Sequence, residues 1–259
     1  MNKKWEKIKR IDREFDTIFR NRGYIYIIHY SCESFYDNQK DSFKIASIAV
    51  RNFSSGQVES FSIHQSAEEH GINLSNNYEM AERKMLDAFY SFVSVNLNAY
   101  WIHWNMRDSN YGFKAIEHRY KVLGGKPTII SDNNKFDLAR MLIDRYTSKY
   151  IGHPRIESLM KKNNISNKGF LNGEAESRAF NEGSFIKLHQ STLKKVDVFE
   201  EILSKIDEQE LKVDTSFFQI YGVNLYSINH FLYTHPIISI LTVVAGLYGV
   251  VDLVIKIFI

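Results

Sequence analysis

A single cysteine, Cys32, excludes an intramolecular disulfide and a cysteine-based zinc site, and it suits a reducing compartment. Only three prolines interrupt the 259 residues, and Tyr and Phe are abundant, which excludes a disordered or proline-rich chain. The first 22 residues are heavily charged where a secretory leader would carry its apolar stretch, so none is expected. Glycine-rich phosphate loops are also missing, since Gly124-Gly125 closes an expected helix and does not open one. The formal net charge of +3 permits contact with phosphates or anionic lipid without demanding it. The last scarcity is local: 215–251 contains no Lys, Arg, Asp or Glu.

That charge-free run sets the first expectation. Residues 236–259 are apolar for about the length a ~30 Å bilayer core requires. The sequence therefore predicts a C-terminal transmembrane helix there. Pro236 would open it, and Asp252 and Lys256 would pair one turn apart. An interfacial segment is expected over 214–235, an amphipathic helix over 1–22, and a cytoplasmic domain over 23–213. The basic face of the first helix leaves two expectations open, docking on the domain or lying on a membrane surface. The whole would be a membrane protein, able to form a homo-oligomer through its membrane segment.

Within the domain, aromatic and β-branched residues predict strands over 24–30, 43–53 and 57–64, the last two forming a hairpin about Ser54-Ser55-Gly56. A helix over 78–96, a strand over 99–103, a helix over 109–123 and a strand over 126–131 follow. Helices over 135–146, 154–163 and 191–211 complete the pattern, with an irregular stretch before the last. Three early strands and later alternation predict a mixed α/β sheet covered by helices.

Chemistry-bearing residues fall at three places in this order. The first strand runs Tyr24-Ile25-Tyr26-Ile27-Ile28-His29-Tyr30 into Ser31-Cys32-Glu33. The later strand ends His103-Trp104-Asn105-Met106-Arg107-Asp108. A late helix carries His189-Gln190-Ser191-Thr192-Leu193-Lys194, with Asp197 one turn on, and Phe136-Asp137-Leu138-Ala139-Arg140 lies between. This arrangement resembles the DEDD-type 3′–5′ exonucleases, of ribonuclease-H-like fold, over roughly 23–205. The resemblance implies a mixed sheet with antiparallel first strands, and a site of four acids holding two divalent ions that activate water.

Two of those acids are replaced, by Ser31 and Lys194. Glu33, Asp108, His189 and Asp197 are then the candidate catalytic residues, with His189 as general base toward water. Glu33 and Asp108 are the candidate metal ligands, sufficient for one weakly held Mg²⁺ or Mn²⁺ at most. Ser31, His103, Trp104, Arg107 and Lys194 are the candidate ligand-binding residues. Lys194 would supply a cation in place of a metal or toward a phosphate, and Trp104 would stack on a base. Glu33, Asp108, His189 and Lys194 are expected to converge on one cleft at the ends of the first and fourth strands.

Other features are read more plainly. His29 and His64 are expected as sheet histidines, His64 and His70 have no third zinc ligand nearby, and Cys32 is expected to be an inert core thiol. The preferred functional expectation is a membrane-anchored pseudo-nuclease that binds a nucleic acid or nucleotide and acts as a sensor-effector in antiviral defence. The alternatives are an active, tethered exonuclease and a non-catalytic membrane scaffold.

Overall fold

The computed structural model describes residues 3–33, 42–107, 111–222, 228, 240–241 and 243–248. Its centre is a five-stranded mixed sheet. β1 (Ile25–Cys32) pairs antiparallel with β2 (Ile45–Asn52), which pairs antiparallel with β3 (Val58–Ser62). On its other side β1 pairs parallel with β4 (Tyr100–His103), and β4 with β5 (Lys135–Asp137), giving the order β3-β2-β1-β4-β5. The carboxyl ends of β1, β4 and β5 therefore lie along one rim. In open α/β sheets that rim is where ligands bind.

Helices cover both faces. α1 (Lys3–Arg20), α5 (Leu138–Tyr146), α6 (Arg155–Lys162) and α8 (Phe185–Asp207) cover Ile25, Ile27 and Ile102. α2 (Ile63–Glu69), α3 (Leu74–Val95) and α4 (Phe113–Val122) cover Ile28, Tyr30, Ile48 and Trp101. The period-2 alternation of β1 and β4 sends neighbouring side chains to opposite cores. The hairpin forms at the expected place. Asn52 accepts from the amides of Ser54 and Ser55, both at 3.0 Å, and Gly56 turns the chain at φ +70°.

Several expected boundaries move. Residues 126–131 form no strand, and β5 lies further on because Asp137 both ends it and caps α5, accepting from Arg140 N at 3.3 Å. The expected third strand stops at Ser62, where α2 begins. The stretch expected to be irregular contains α7 (Gly173–Asn181), capped by Asn172 through Ala175 N at 2.9 Å, and α8 starts at Phe185.

The transmembrane helix expected over 236–259 is not upheld. Among the described residues no helix is long and apolar enough to cross a membrane, and most of that span lies outside them. The segment expected at an interface opens instead as a five-residue helix, α9 (Phe217–Tyr221), ended by Gly222 at φ +78°. It docks on α1: Tyr221 meets Trp5 at 5.3 Å between ring centroids, and Lys4 Nζ donates to Gln219 O at 2.6 Å. α1 in turn buries Ile11, Phe15 and Ile18 in the core, so its apolar face is occupied by the domain and not by lipid.

Candidate functional site

β1 delivers His29 and Ser31 to the face beneath α8. The amino-terminal half of α8 runs across the end of β1 and presents His189, Thr192 and Lys195 to it, all buried. Ser31 Oγ lies 2.8 Å from Thr192 Oγ1 and 3.2 Å from Glu176 Oε1. Ser191 Oγ donates to the same carboxylate oxygen at 2.8 Å, while Lys195 Nζ holds Oε2 at 2.6 Å. The side chains of this ion pair are only 7% and 12% exposed, so it sits inside the protein. Where the exonuclease resemblance implies an acid and a metal, the chain has a serine and an internal ammonium–carboxylate pair.

The cation of the cluster is one residue beyond the expected Lys194. Lys194 points away and pairs with Glu201 at 3.8 Å, whereas Lys195 enters the cluster. Glu176 was missed altogether, because a lone glutamate on a short helix belongs to no motif. Asp197 is not part of the cluster either. It bonds Arg51 at 3.0 Å, and Arg51 lies opposite Ile27, four residues up β1 from Ser31 and roughly 13 Å away along the strand.

Glu33 is buried at the end of β1, where it accepts from Lys44 N at 2.9 Å. A bulge between Ser31 and Cys32 breaks the strand's alternation just before it. Its charge acts on Tyr78 and, together with the larger effect of Glu176, on Cys32, both in the core under α3. Burial pushes the Cys32 thiol well above its ordinary range, in keeping with an inert core cysteine. Asp108 lies outside the described residues. Among the described residues no group of three or more His, Cys, Asp or Glu is placed to hold a metal ion. The donor set at Ser31 does not fit a divalent cation, because Glu176 is already neutralised by Lys195.

Histidines crowd the same region. His189 Nδ1 shares a 2.7 Å hydrogen bond with Ser47 Oγ, opposite Ser31, and its ring meets His64 edge-on at 5.3 Å. Burial, aided by His64, pushes the His189 pKa down to about 4. His29 is 5% exposed, and neither ring nitrogen has a partner among the described residues. Burial and the nearby Lys195 charge hold it neutral.

A second arrangement opens at the ends of β4 and β5. A cleft of about 270 Å³ is lined by His103, Arg107, Lys114, Asp132, Lys135 and Asp137. Arg107 pairs with Asp137, and Lys135 Nζ with Asp132 at 2.8 Å. His103 Nδ1 accepts from Met106 N at 3.1 Å, so the ring's hydrogen is on Nε2. Burial, reinforced by Arg107 and Lys135 against Asp137, pushes the His103 pKa down to about 4. Arg107 is bridged antiparallel to Gly112. At Gly112, φ is +153° and a Cβ would stand 2.4 Å from Met106 O, so only glycine fits.

The structure thus divides the expected constellation in two. His103 and Arg107 line the open cleft, while Ser31 and His189 belong to the buried cluster. Trp104 belongs to neither. It is 7% exposed and stacks on Phe199 with ring planes 8° apart, so it is core and offers no face to a base.

The depressed histidines predict acid sensitivity. Each folded-state pKa lies below the unfolded value near 6.5, so the unfolded chain binds more protons as pH falls. Stability is expected to be intact above about pH 6.5 and to be lost progressively toward about pH 4, by on the order of 3 kcal/mol per ring. Urea midpoints between these limits test this. The profile of His103→Asn should be flatter than that of the wild type, and an unchanged profile would exclude His103 as a contributor.

No protein-family model matches the chain, and no curated protein or solved structure does either.

Proposed function

We propose that this chain is a pseudo-nuclease: a ribonuclease-H-like domain that binds a nucleotide or nucleic acid at the β4–β5 rim without cutting it. The observation that carries the proposal is the Lys195–Glu176 pair beneath Ser31. A cation built into the fold occupies the charge role a metal would have, so two-metal hydrolysis has no seat there. The antiparallel first three strands and the parallel strands after them support the family likeness.

Binding rests on the cleft. Arg107 is half-exposed, Lys114 is exposed, and His103 is a neutral donor, which suits a phosphate with a polar group beside it. Asp137 orients Arg107 and also accepts from Asn105 N at 3.2 Å, which fixes the loop that carries the guanidinium.

Calorimetry with a nucleoside 5′-monophosphate, beside turnover of single-stranded DNA and RNA in Mg²⁺ and Mn²⁺, tests the proposal. Binding without turnover is expected, weakened about tenfold or more by Arg107→Ala, as for loss of a charge-assisted contact of 1.5–3 kcal/mol. Metal-dependent turnover abolished by Glu33→Gln would make the protein an exonuclease. Neither binding nor turnover would leave a scaffold.

A further inference from the structure

A second cleft of about 480 Å³ adjoins the first, sharing Lys135 and Asp137 with it across the β5 edge. Its remaining charged lining is Arg10 and Glu14 of α1 with Arg140 and Asp144 of α5. Asp144 is the key to its charge. The carboxylate is buried, 5% exposed, and faces three cations: Lys7 at 2.7 Å, Arg140 at 3.3 Å and Arg10 at 3.7 Å. One negative charge cannot neutralise three positive ones. Only the Lys7 contact has the length of a strong charge-assisted bond, which is 2.7–2.9 Å.

Arg10 and Arg140 are therefore loosely held, and their side chains are 58% and 55% exposed. Either guanidinium can turn to a phosphate while Asp144 keeps Lys7. Arg10 also lies 3.7 Å from Glu14, again too long for a tight pair. Along the lining of both clefts the cations Arg10, Arg107, Lys114, Lys135 and Arg140 outnumber the carboxylates Glu14, Asp132, Asp137 and Asp144 by one, and Lys7 adds a further positive charge behind Asp144. Half-buried Phe136, packed edge-on against Tyr100, lines the second cleft beside the shared Lys135 and Asp137 and leaves part of an aromatic ring there.

We infer that the ligand is a single-stranded nucleic-acid chain, whose first phosphate meets Arg107 and Lys114 and whose next crosses the β5 edge to Arg10 and Arg140. This rests on the binding reading above and narrows its ligand class. The first cleft alone falls at the lower limit of small-ligand sites, ~300 Å³, and the second supplies the room for a chain.

The test is fluorescence anisotropy on the full chain with labelled, 5′-phosphorylated oligothymidylates of one, two and four nucleotides. Wild-type affinity is expected to rise by about tenfold or more from one nucleotide to two, the gain expected from one added phosphate contact and one stacked base. The salt dependence should steepen with length, by about 0.7 in logarithmic slope for each phosphate contact added. In Arg10→Ala/Arg140→Ala the gain with length disappears while mononucleotide affinity is kept. Equal wild-type affinity at all lengths overturns the inference without any variant, and so does a length gain that survives the double substitution. If Arg107→Ala changes nothing at any length, or no length binds, the cleft reading itself falls. Single-nucleotide binding that depends on Arg107 without a length gain leaves that reading standing and removes only the chain.

Discussion

Glu82→Ala is expected to lower the free energy of unfolding by about 3–5 kcal/mol, the cost of leaving one member of a buried ion pair without its partner. Glu82 is fully buried on α3, and the Arg119 side chain on α4 is 5% exposed. Arg119 donates through Nε to Oε1 at 3.0 Å and through Nη2 to Oε2 at 2.6 Å, the fork geometry that suits a carboxylate. Oε1 also accepts from Ile45 N at 2.7 Å, where β2 begins. Removing the carboxylate therefore strands a guanidinium and a strand amide together. Glu79 at 3.2 Å and Ser42 Oγ at 3.2 Å still reach Arg119 and soften the loss. Replacing both partners, Glu82→Leu with Arg119→Met, should restore most of the stability, because no charge is then left buried. Equilibrium urea unfolding of the three proteins decides. If the single and double substitutions cost the same, the pair is not what holds α3 and α4 to the sheet.

Hydrophobic periodicity made much of this fold legible. β1, the β2–β3 hairpin, α3 and β4 are long or strongly patterned, and their two-faced burial follows from the alternation of residues such as Ile27 and Ile28. What was illegible has local causes. β5 is three residues long at a sheet edge, and its last residue serves as a helix cap, so Lys135-Phe136-Asp137 reads as the start of a helix. α7 mixes Glu, Ala and Arg without a broad apolar stripe and buries only Ala179.

The buried cation is Lys195 and not Lys194, and the helical pattern of α8 carries the signal for it. Successive helix residues are ~100° apart, so counting five residues from His189 to Lys194 ignores which side faces the sheet. The apolar stripe of α8 runs through Leu188, Thr192, Val196, Phe199 and Leu203, and Lys195 lies within it while Lys194 lies outside. Reading the stripe before the motif assigns the buried cation correctly. Glu176 carried no such signal, since its partners come from β1 and α8, 145 and 15 residues away. The apolar C-terminal stretch shows the limit of composition: length and hydropathy alone predict a span over 236–259, and among the described residues no helix is long and apolar enough to cross a membrane.

The side of α8 that carries the buried cation fixes which substitution should open the cluster to a metal ion. Lys195→Ala removes the cation 2.6 Å from Glu176, leaving a carboxylate buried beside Ser31 and Ser191. A loss of about 3–5 kcal/mol is expected from the unpaired charge alone. Adding Ser31→Asp brings a second carboxylate to a position now 3.2 Å from Glu176, so the two acids repel unless a cation joins them. The double variant is therefore expected to be unstable in chelator and to be stabilised by Mn²⁺. The gain should approach ~2.7 kcal/mol when the ion is a hundredfold above its dissociation constant. Lys194→Ala, whose side chain pairs with Glu201 and stands outside the Glu176 cluster, should gain nothing. Melting temperatures with Mn²⁺ and with chelator, together with calorimetric titration, separate the outcomes. Tight Mn²⁺ binding by the wild type would show that Lys195 does not fill the site. A gain in Lys194→Ala without one in the Lys195 variants would restore the motif count over the helical face. With Lys195 gone and an acid introduced at Ser31, metal affinity without turnover would still be informative. It would mean that acids at 31 and 176 suffice to hold the ion, and that turnover requires ligands beyond those two.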